Sequence, residues 1–172
     1  MKEQREAYVM GIKSFVDDDF IQKVICKYSD MIFRVALQYV RNKADAEDIV
    51  QDTFLSFVKY APNEKEELIK AWLLRVAINK SKDVLKSKAY KVLPLDDAII
   101  ISIPEAGNYA ELQQALDKLD SMDRTIIYLH YYEGYIAKEI GSILRKSEKA
   151  IYKRLSRSRQ ALKSYLEEGD KK

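Results

Sequence analysis

A chain of 172 residues with a formal net charge of +3 is long enough for one domain or two small ones, and so slight an imbalance names no partner. Three prolines and five glycines, set against abundant Leu, Ile, Ala, Lys and Glu, predict an all-α fold. The single cysteine, Cys26, excludes an internal disulfide, and with His130 the only histidine neither a metal nor a cofactor is expected.

The opening MKEQREAYVM has no apolar signal-peptide core. The most hydrophobic run, Ala71 to Ile78, is broken by Arg75 and falls far short of the roughly 20 residues that span a bilayer. A cytoplasmic protein without membrane insertion is expected.

From Phe20 to Val40, apolar residues (Ile21, Val24, Ile25, Ile32, Phe33, Val35, Ala36 and Leu37 between them) recur at helical spacing. This predicts two packed helices, or one helix interrupted near Ser29-Asp30. Ala44 to Tyr60 predicts another, with Ile49, Val50, Phe54, Phe57 and Val58 inward, ending before Pro62-Asn63. After a polar loop, Ala61 to Glu66, a helix from Glu67 to about Ala89 sets an apolar stripe of Leu74, Ala77, Ile78 and Leu85 against a polar one of Arg75, Asn79, Lys82 and Lys86.

The segment LPLDDAIIISIPEAGN, Leu93 to Asn108, holds two prolines, a glycine and a β-branched run that cannot continue a helix. It reads as an irregular linker, with a reach of roughly 50 Å when extended. The expected organisation is therefore two small helical domains, residues 1–92 and 111–172, joined by a linker over 93–110. The second opens with helices from about Glu111 to Leu119 and from Asp123 to Glu133, the latter closed by Gly134. A short helix, Ile136 to Leu144, a tight turn at Arg145-Lys146 and an N-cap at Ser147 lead into a long basic helix to about Glu167. That layout is a helix-turn-helix.

Charge is segregated along the chain. Asp45 to Glu67 is mainly acidic, Lys70 to Lys91 mainly basic, Asp96 to Asp123 acidic, and Lys138 to Lys163 basic. Two separate basic surfaces point to two contacts with a polyanion. In the last helix Ile151, Leu155, Leu162 and Tyr165 face inward, leaving Lys149, Lys153, Arg154 and Arg157 at the end where helical N–H groups also favour phosphate. Trp72, Arg75, Asn79, Lys82, Asp83 and Lys86 mix cations, an amide and an aromatic on or near one side of their helix, a combination able to hold phosphates and unpaired bases. Asp48, Gln51 and Asp52 lie on neighbouring turns of an acidic helix, suited to a basic protein partner. These residues alone leave open a free-standing helix-turn-helix regulator. An enzyme is not expected, since no P-loop, glycine-rich phosphate cradle or histidine dyad is present.

Taken in order, DAEDIVQDTF (45–54), AWLLRVAINKSKD (71–83), LDKLDSMDRTIIYLHYYEGY (116–135), KEIGSIL (138–144) and IYKRLSRSRQAL (151–162) resemble a bacterial sigma factor of the extracytoplasmic-function group, over about Asp17 to Leu166. The resemblance implies an alternative sigma factor that binds RNA polymerase core and directs promoter-specific initiation. Its partners would be the clamp of the largest polymerase subunit, the flap of the second, promoter DNA and an anti-sigma factor. It implies clamp contacts from Asp45, Asp48, Gln51, Asp52 and Phe54. Minus-ten contacts would come from Trp72, Arg75, Asn79, Lys80, Lys82, Asp83 and Lys86, with a flipped base held by the loop 61–66. Minus-thirty-five contacts would come from Lys146, Ser147, Lys149, Ala150, Lys153, Arg154 and Arg157, and the linker would thread the RNA path.

Three departures from the family pattern stand out. Gly141 replaces the commoner alanine, at an expected cost of roughly 1 kcal/mol of helix stability. Arg145 replaces the turn glycine, so either it adopts a left-handed backbone at roughly 1 to 2 kcal/mol, or the turn differs. Lys149-Ala150 and Tyr152 stand where Gly-Thr and Lys are frequent.

Overall fold

The computed structural model describes residues 18–60, 66–87 and 109–169. Among these there are seven α-helices, one π-helical turn and no strand. The chain divides into two compact units, residues 1–91 and 92–172. Residues 93–108 of the expected linker 93–110 and 61–65 of the expected loop lie outside the described residues, whereas Tyr109 and Ala110, expected in the linker, begin a helix.

The first unit is a three-helix bundle of α1 (Asp18–Val40), α2 (Lys43–Tyr60) and α3 (Glu66–Ser87), each packed on the other two. The expected break at Ser29-Asp30 is absent, and α1 is continuous. Two local bonds explain this: the Ser29 hydroxyl donates back to the Ile25 carbonyl at 2.6 Å, and Asp30 pairs with Arg34 one turn on at 2.8 Å. Helix α1 stops at Arg41, whose φ of 52° is left-handed, and Asn42 starts α2 by accepting from the Asp45 N–H at 3.0 Å.

The core of this unit is Ile32, Val35, Ala36, Phe57, Leu73, Leu74 and Ala77, all fully buried. Fully burying side chains of the Val, Leu or Phe class stabilises by about 1.5 to 3 kcal/mol each. Val58, expected inward, and Phe20 are partly exposed. They sit near helix ends, where less of the bundle lies over them. The buried hydroxyls of Thr53 and Ser81 are satisfied within their own helices, Thr53 to Ile49 O at 2.7 Å and Ser81 to Ala77 O at 2.8 Å.

The second unit contains α4 (Tyr109–Asp117), α5 (Ser121–Ile127), a π turn (Tyr128–Tyr132), α6 (Ala137–Leu144) and α7 (Glu148–Gly169). Asp120 caps α5 by accepting from the Asp123 N–H at 2.8 Å. The expected uniform helix to Glu133 instead widens into the π turn, where the Glu133 N–H reaches the Tyr128 carbonyl at 3.2 Å. Gly134, at φ 76°, then reverses the chain. Glu139 begins α6 by accepting from the Ile136 N–H at 2.9 Å. Helices α4, α5 and α6 all pack on α7, and Leu129, Ile140, Ile151 and Leu155 are fully buried in this unit.

Candidate nucleic-acid interface

The turn between α6 and α7 decides how α7 is presented. Arg145 does adopt the left-handed backbone, at φ 54° and ψ 49°. Lys146 donates to the Gly141 carbonyl at 2.8 Å, and Ser147 caps α7 by accepting from the Ala150 N–H at 3.2 Å. The closure draws the turn against α6 so tightly that a Cβ at position 141 would lie 2.7 Å from the Lys146 carbonyl oxygen. The expected penalty for Gly141 relative to alanine is thus corrected: the site requires glycine, because the backbone occupies the space a methyl would need.

On α7, Lys149, Lys153 and Arg157 are exposed and face away from buried Ile151, Leu155 and Ser158. Tyr152 is also exposed beside them. Lys146 is exposed in the turn, Ala150 is half-buried, and the Ser147 hydroxyl is engaged in its cap. Arg154 is placed differently from its expectation as a free DNA contact. Its guanidinium pairs with Asp123 and, at 3.3 Å, with Asp120. Partial burial works against its charge, but bonding to Asp123 and the pull of Asp123 and Asp120 outweigh it and raise its pKa.

On α3, the buried stripe of Ile69, Leu73, Ala77 and Ser81 leaves Arg75, Asn79, Lys82 and Lys86 within an arc of about 60°, by helical winding at about 100° per residue. Asp83 sits at the edge of this arc, 3.7 Å from Lys86. Trp72 is half-buried with its ring centroid 6.1 Å from that of Phe57, which anchors it to the bundle. Lys80 does not share the basic face. It lies on the packed flank of α3 and pairs with Asp52 of α2 at 3.6 Å.

On α2, Asp48, Gln51 and Asp52 are exposed together, with Asp45 at the margin. Phe54, expected among the contacts, is only 6% exposed and supports the helix from inside. Sequence reasoning missed Leu55. It is 67% exposed on the same outward face as Asp48 and Asp52, an apolar residue amid acids. Its spacing, one turn after Asp52 and two after Asp48, was the available signal. Beside this face, between α1 and α2, runs a shallow groove floored by Phe33 and Val50 and rimmed by Asp30, Glu47 and Gln51.

Each of the two helical units matches a known family. Residues 24–90 match the family model for sigma-70 region 2, and residues 109–162 that for sigma-70 region 4. The chain is 31% identical to RNA polymerase sigma factor SigV of Bacillus subtilis, over 85% of this chain and 90% of that one. The chain belongs to the ECF group of RNA polymerase sigma factors.

It is also 28% identical to ECF RNA polymerase sigma factor SigE of Mycolicibacterium smegmatis, over 84% of this chain but only 60% of that protein's length. Among solved structures, sigma factor RpoE bound to the anti-sigma factor NepR from Bartonella quintana has the same fold. Its TM-score is 0.73 at 22% identity, covering 88% of this chain and 98% of that one. CnrH in complex with the cytosolic domain of CnrY gives a TM-score of 0.66, covering 92% and 94%. This ECF sigma factor is an alternative sigma factor that directs promoter-specific transcription initiation by RNA polymerase. Among its described residues, no helix is long and apolar enough to cross a membrane, and no three His, Cys, Asp or Glu gather as metal ligands.

Proposed function

We propose that the division of labour follows the helices: α2 docks on the polymerase clamp, α3 reads and helps open the minus-ten element, and α7 reads the minus-thirty-five element. The observation that carries this is the sorting of charge by face. Half-buried Arg75 and Lys82 share one face with exposed Asn79 and Lys86 in one unit, and Lys149, Lys153 and Arg157 are exposed together in the other, while Asp48, Gln51 and Asp52 are exposed on α2. Cationic faces favour phosphate, and the α7 N-terminus adds backbone N–H groups aimed outward. The acidic face suits a basic protein surface, with Leu55 as an apolar anchor at its centre.

In this reading Phe54 and Lys80 support the faces from within, Trp72 braces α3 against Phe57, and Asp83 borders the basic arc. Holding unstacked bases against α3 offsets the few kcal/mol lost on opening the duplex. The chain acts by binding, in the cytoplasm, and carries out no covalent chemistry itself. An anti-sigma factor is its expected regulator, in line with the anti-sigma partners of the two structural neighbours.

Run-off transcription with core polymerase, with and without the purified chain, tests the reading. New start sites should appear only with the chain present. Paired Lys149→Gln and Lys153→Gln substitutions should reduce those transcripts while leaving the chain's co-purification with core polymerase intact. Transcription that ignores the chain, or is indifferent to that pair, would refute it.

A further inference from the structure

Helical winding separates Arg154 from its basic neighbours on α7. At about 100° per residue, Lys149, Lys153 and Arg157 share an arc of about 80°, and Arg154 lies outside it, about 60° beyond Arg157 on the side of the buried stripe. That places it beside the buried stripe of Ile151, Leu155 and Ser158. From there its guanidinium reaches back to Asp123 and to Asp120 at 3.3 Å. Both carboxylates belong to the start of α5, where Asp120 also accepts from the Asp123 N–H at 2.8 Å. A single guanidinium nitrogen, Nη1, therefore fastens α7 to the capped N-terminus of another helix through two charge-assisted bonds.

We infer that Arg154 is a positioning residue: by bridging Asp120 and Asp123 it fixes the seat of α7, so that Lys149, Lys153 and Arg157 meet the duplex together, and it makes no DNA contact of its own. The inference rests on the proposed reading of α7 as the recognition helix. Electrostatics supports it as well as geometry. The Asp123 side chain is only 20% exposed, so drawing Arg154 away to a phosphate would strand a partly desolvated carboxylate close to a polyanion. In the bridged state the one positive charge of Arg154 offsets one of the two negative charges, so the acids hold the helix and repel DNA less than they would unbridged.

The test uses the full chain and a labelled promoter duplex taken from the run-off start-site mapping, with binding read by fluorescence anisotropy across a salt series. Arg154→Gln and Asp123→Asn should each weaken binding about five- to tenfold with the salt slope unchanged, and the double variant should be no weaker than either single. Arg154→Lys, which keeps a cation beside Asp123, should recover most of the affinity. A phosphate-contacting Arg154 gives a different pattern: Arg154→Gln would lower the salt slope by about one, and Asp123→Asn, by releasing the guanidinium, would tighten binding instead of weakening it. Either result overturns the inference, as does wild-type affinity in both single variants.

Lys153→Gln separates this inference from the reading beneath it. It should lower the slope by about one whatever Arg154 does, and an unchanged slope there removes α7 as the recognition helix and the bridge's role with it. Should Asp123→Asn unfold the unit through its place at the α5 cap, the Arg154→Gln and Arg154→Lys pair decides alone, since neither alters the cap.

Discussion

Replacing Gly141 by alanine tests the helix-turn-helix most directly, because two effects of known size oppose each other there. Alanine gains about 1 kcal/mol of helix propensity over glycine. Against this, its methyl would sit 2.7 Å from the Lys146 carbonyl, which belongs to a turn already fastened by the bond from Lys146 N to Gly141 O at 2.8 Å. Forcing an extra methyl into such a space costs about 1 to 3 kcal/mol, and a backbone obstacle favours the upper half of that range. The expected net loss is about 1 to 2 kcal/mol, enough to lower the unit's melting temperature by roughly 5 °C or more.

The assay can assign that loss to one unit. Trp72, the only tryptophan, lies in the first unit, so its fluorescence follows that bundle, whereas far-UV circular dichroism follows both. In a urea titration, Gly141→Ala should move a circular dichroism transition to lower denaturant and leave the tryptophan transition where it was. Arg145→Gly, which removes left-handed strain at φ 54°, should move it the other way by about 0.5 to 1 kcal/mol. A Gly141→Ala variant as stable as the parent would refute the account of the turn.

Three further outcomes are expected. Ser158 is 1% exposed and its hydroxyl has no hydrogen-bond partner among the described residues, so Ser158→Ala should stabilise the second unit by about 1 kcal/mol; a loss of stability in urea would count against it. Burial, then the charges of Glu133 and Glu139, push the Tyr135 phenol up to about 12. The folded chain holds that proton more tightly than the unfolded chain, whose phenol ionises near 10, so stability should fall between about pH 10 and 12, by roughly 1 kcal/mol after solvent screening. Tyr135→Phe should flatten that slope in alkaline melts, and an undiminished slope would refute the assignment. Finally, Asp48→Lys should weaken association with core polymerase about tenfold in a pull-down titration, with an unchanged tryptophan unfolding curve; full retention would remove Asp48 from the docking face.

The architecture was legible because helix periodicity and breakers are local. Apolar spacing placed the helices, and Ser147 marked the start of α7 through its cap. What escaped was decided by contacts across helices or by backbone closure. The break expected at Ser29-Asp30 vanished because both residues bond along their own helix. Lys80 read as part of a basic face, but the phase of α3 turns it toward Asp52. Arg154 looked like one more exposed cation until Asp120 and Asp123, distant in sequence, came beside it. Phe54 and Leu55 are sequence neighbours with opposite fates, since one residue of rotation separates core from surface. Gly141 looked like a weakness from propensity alone, and only the folded turn shows why a side chain has no room there.

The π turn at Tyr128–Tyr132 has a consequence for how this corner tolerates changes of length. A five-residue closure takes one residue more than the ordinary i to i+4 pattern, so every side chain beyond it is rotated by about 100° relative to an uninterrupted helix. Deleting a single residue there would restore regular winding, but it would also swing the following glycine corner out of phase with the bundle. Substitutions at exposed Tyr131 leave that phase intact. At its exposed positions this corner is tolerant of spelling, but it is strict about length.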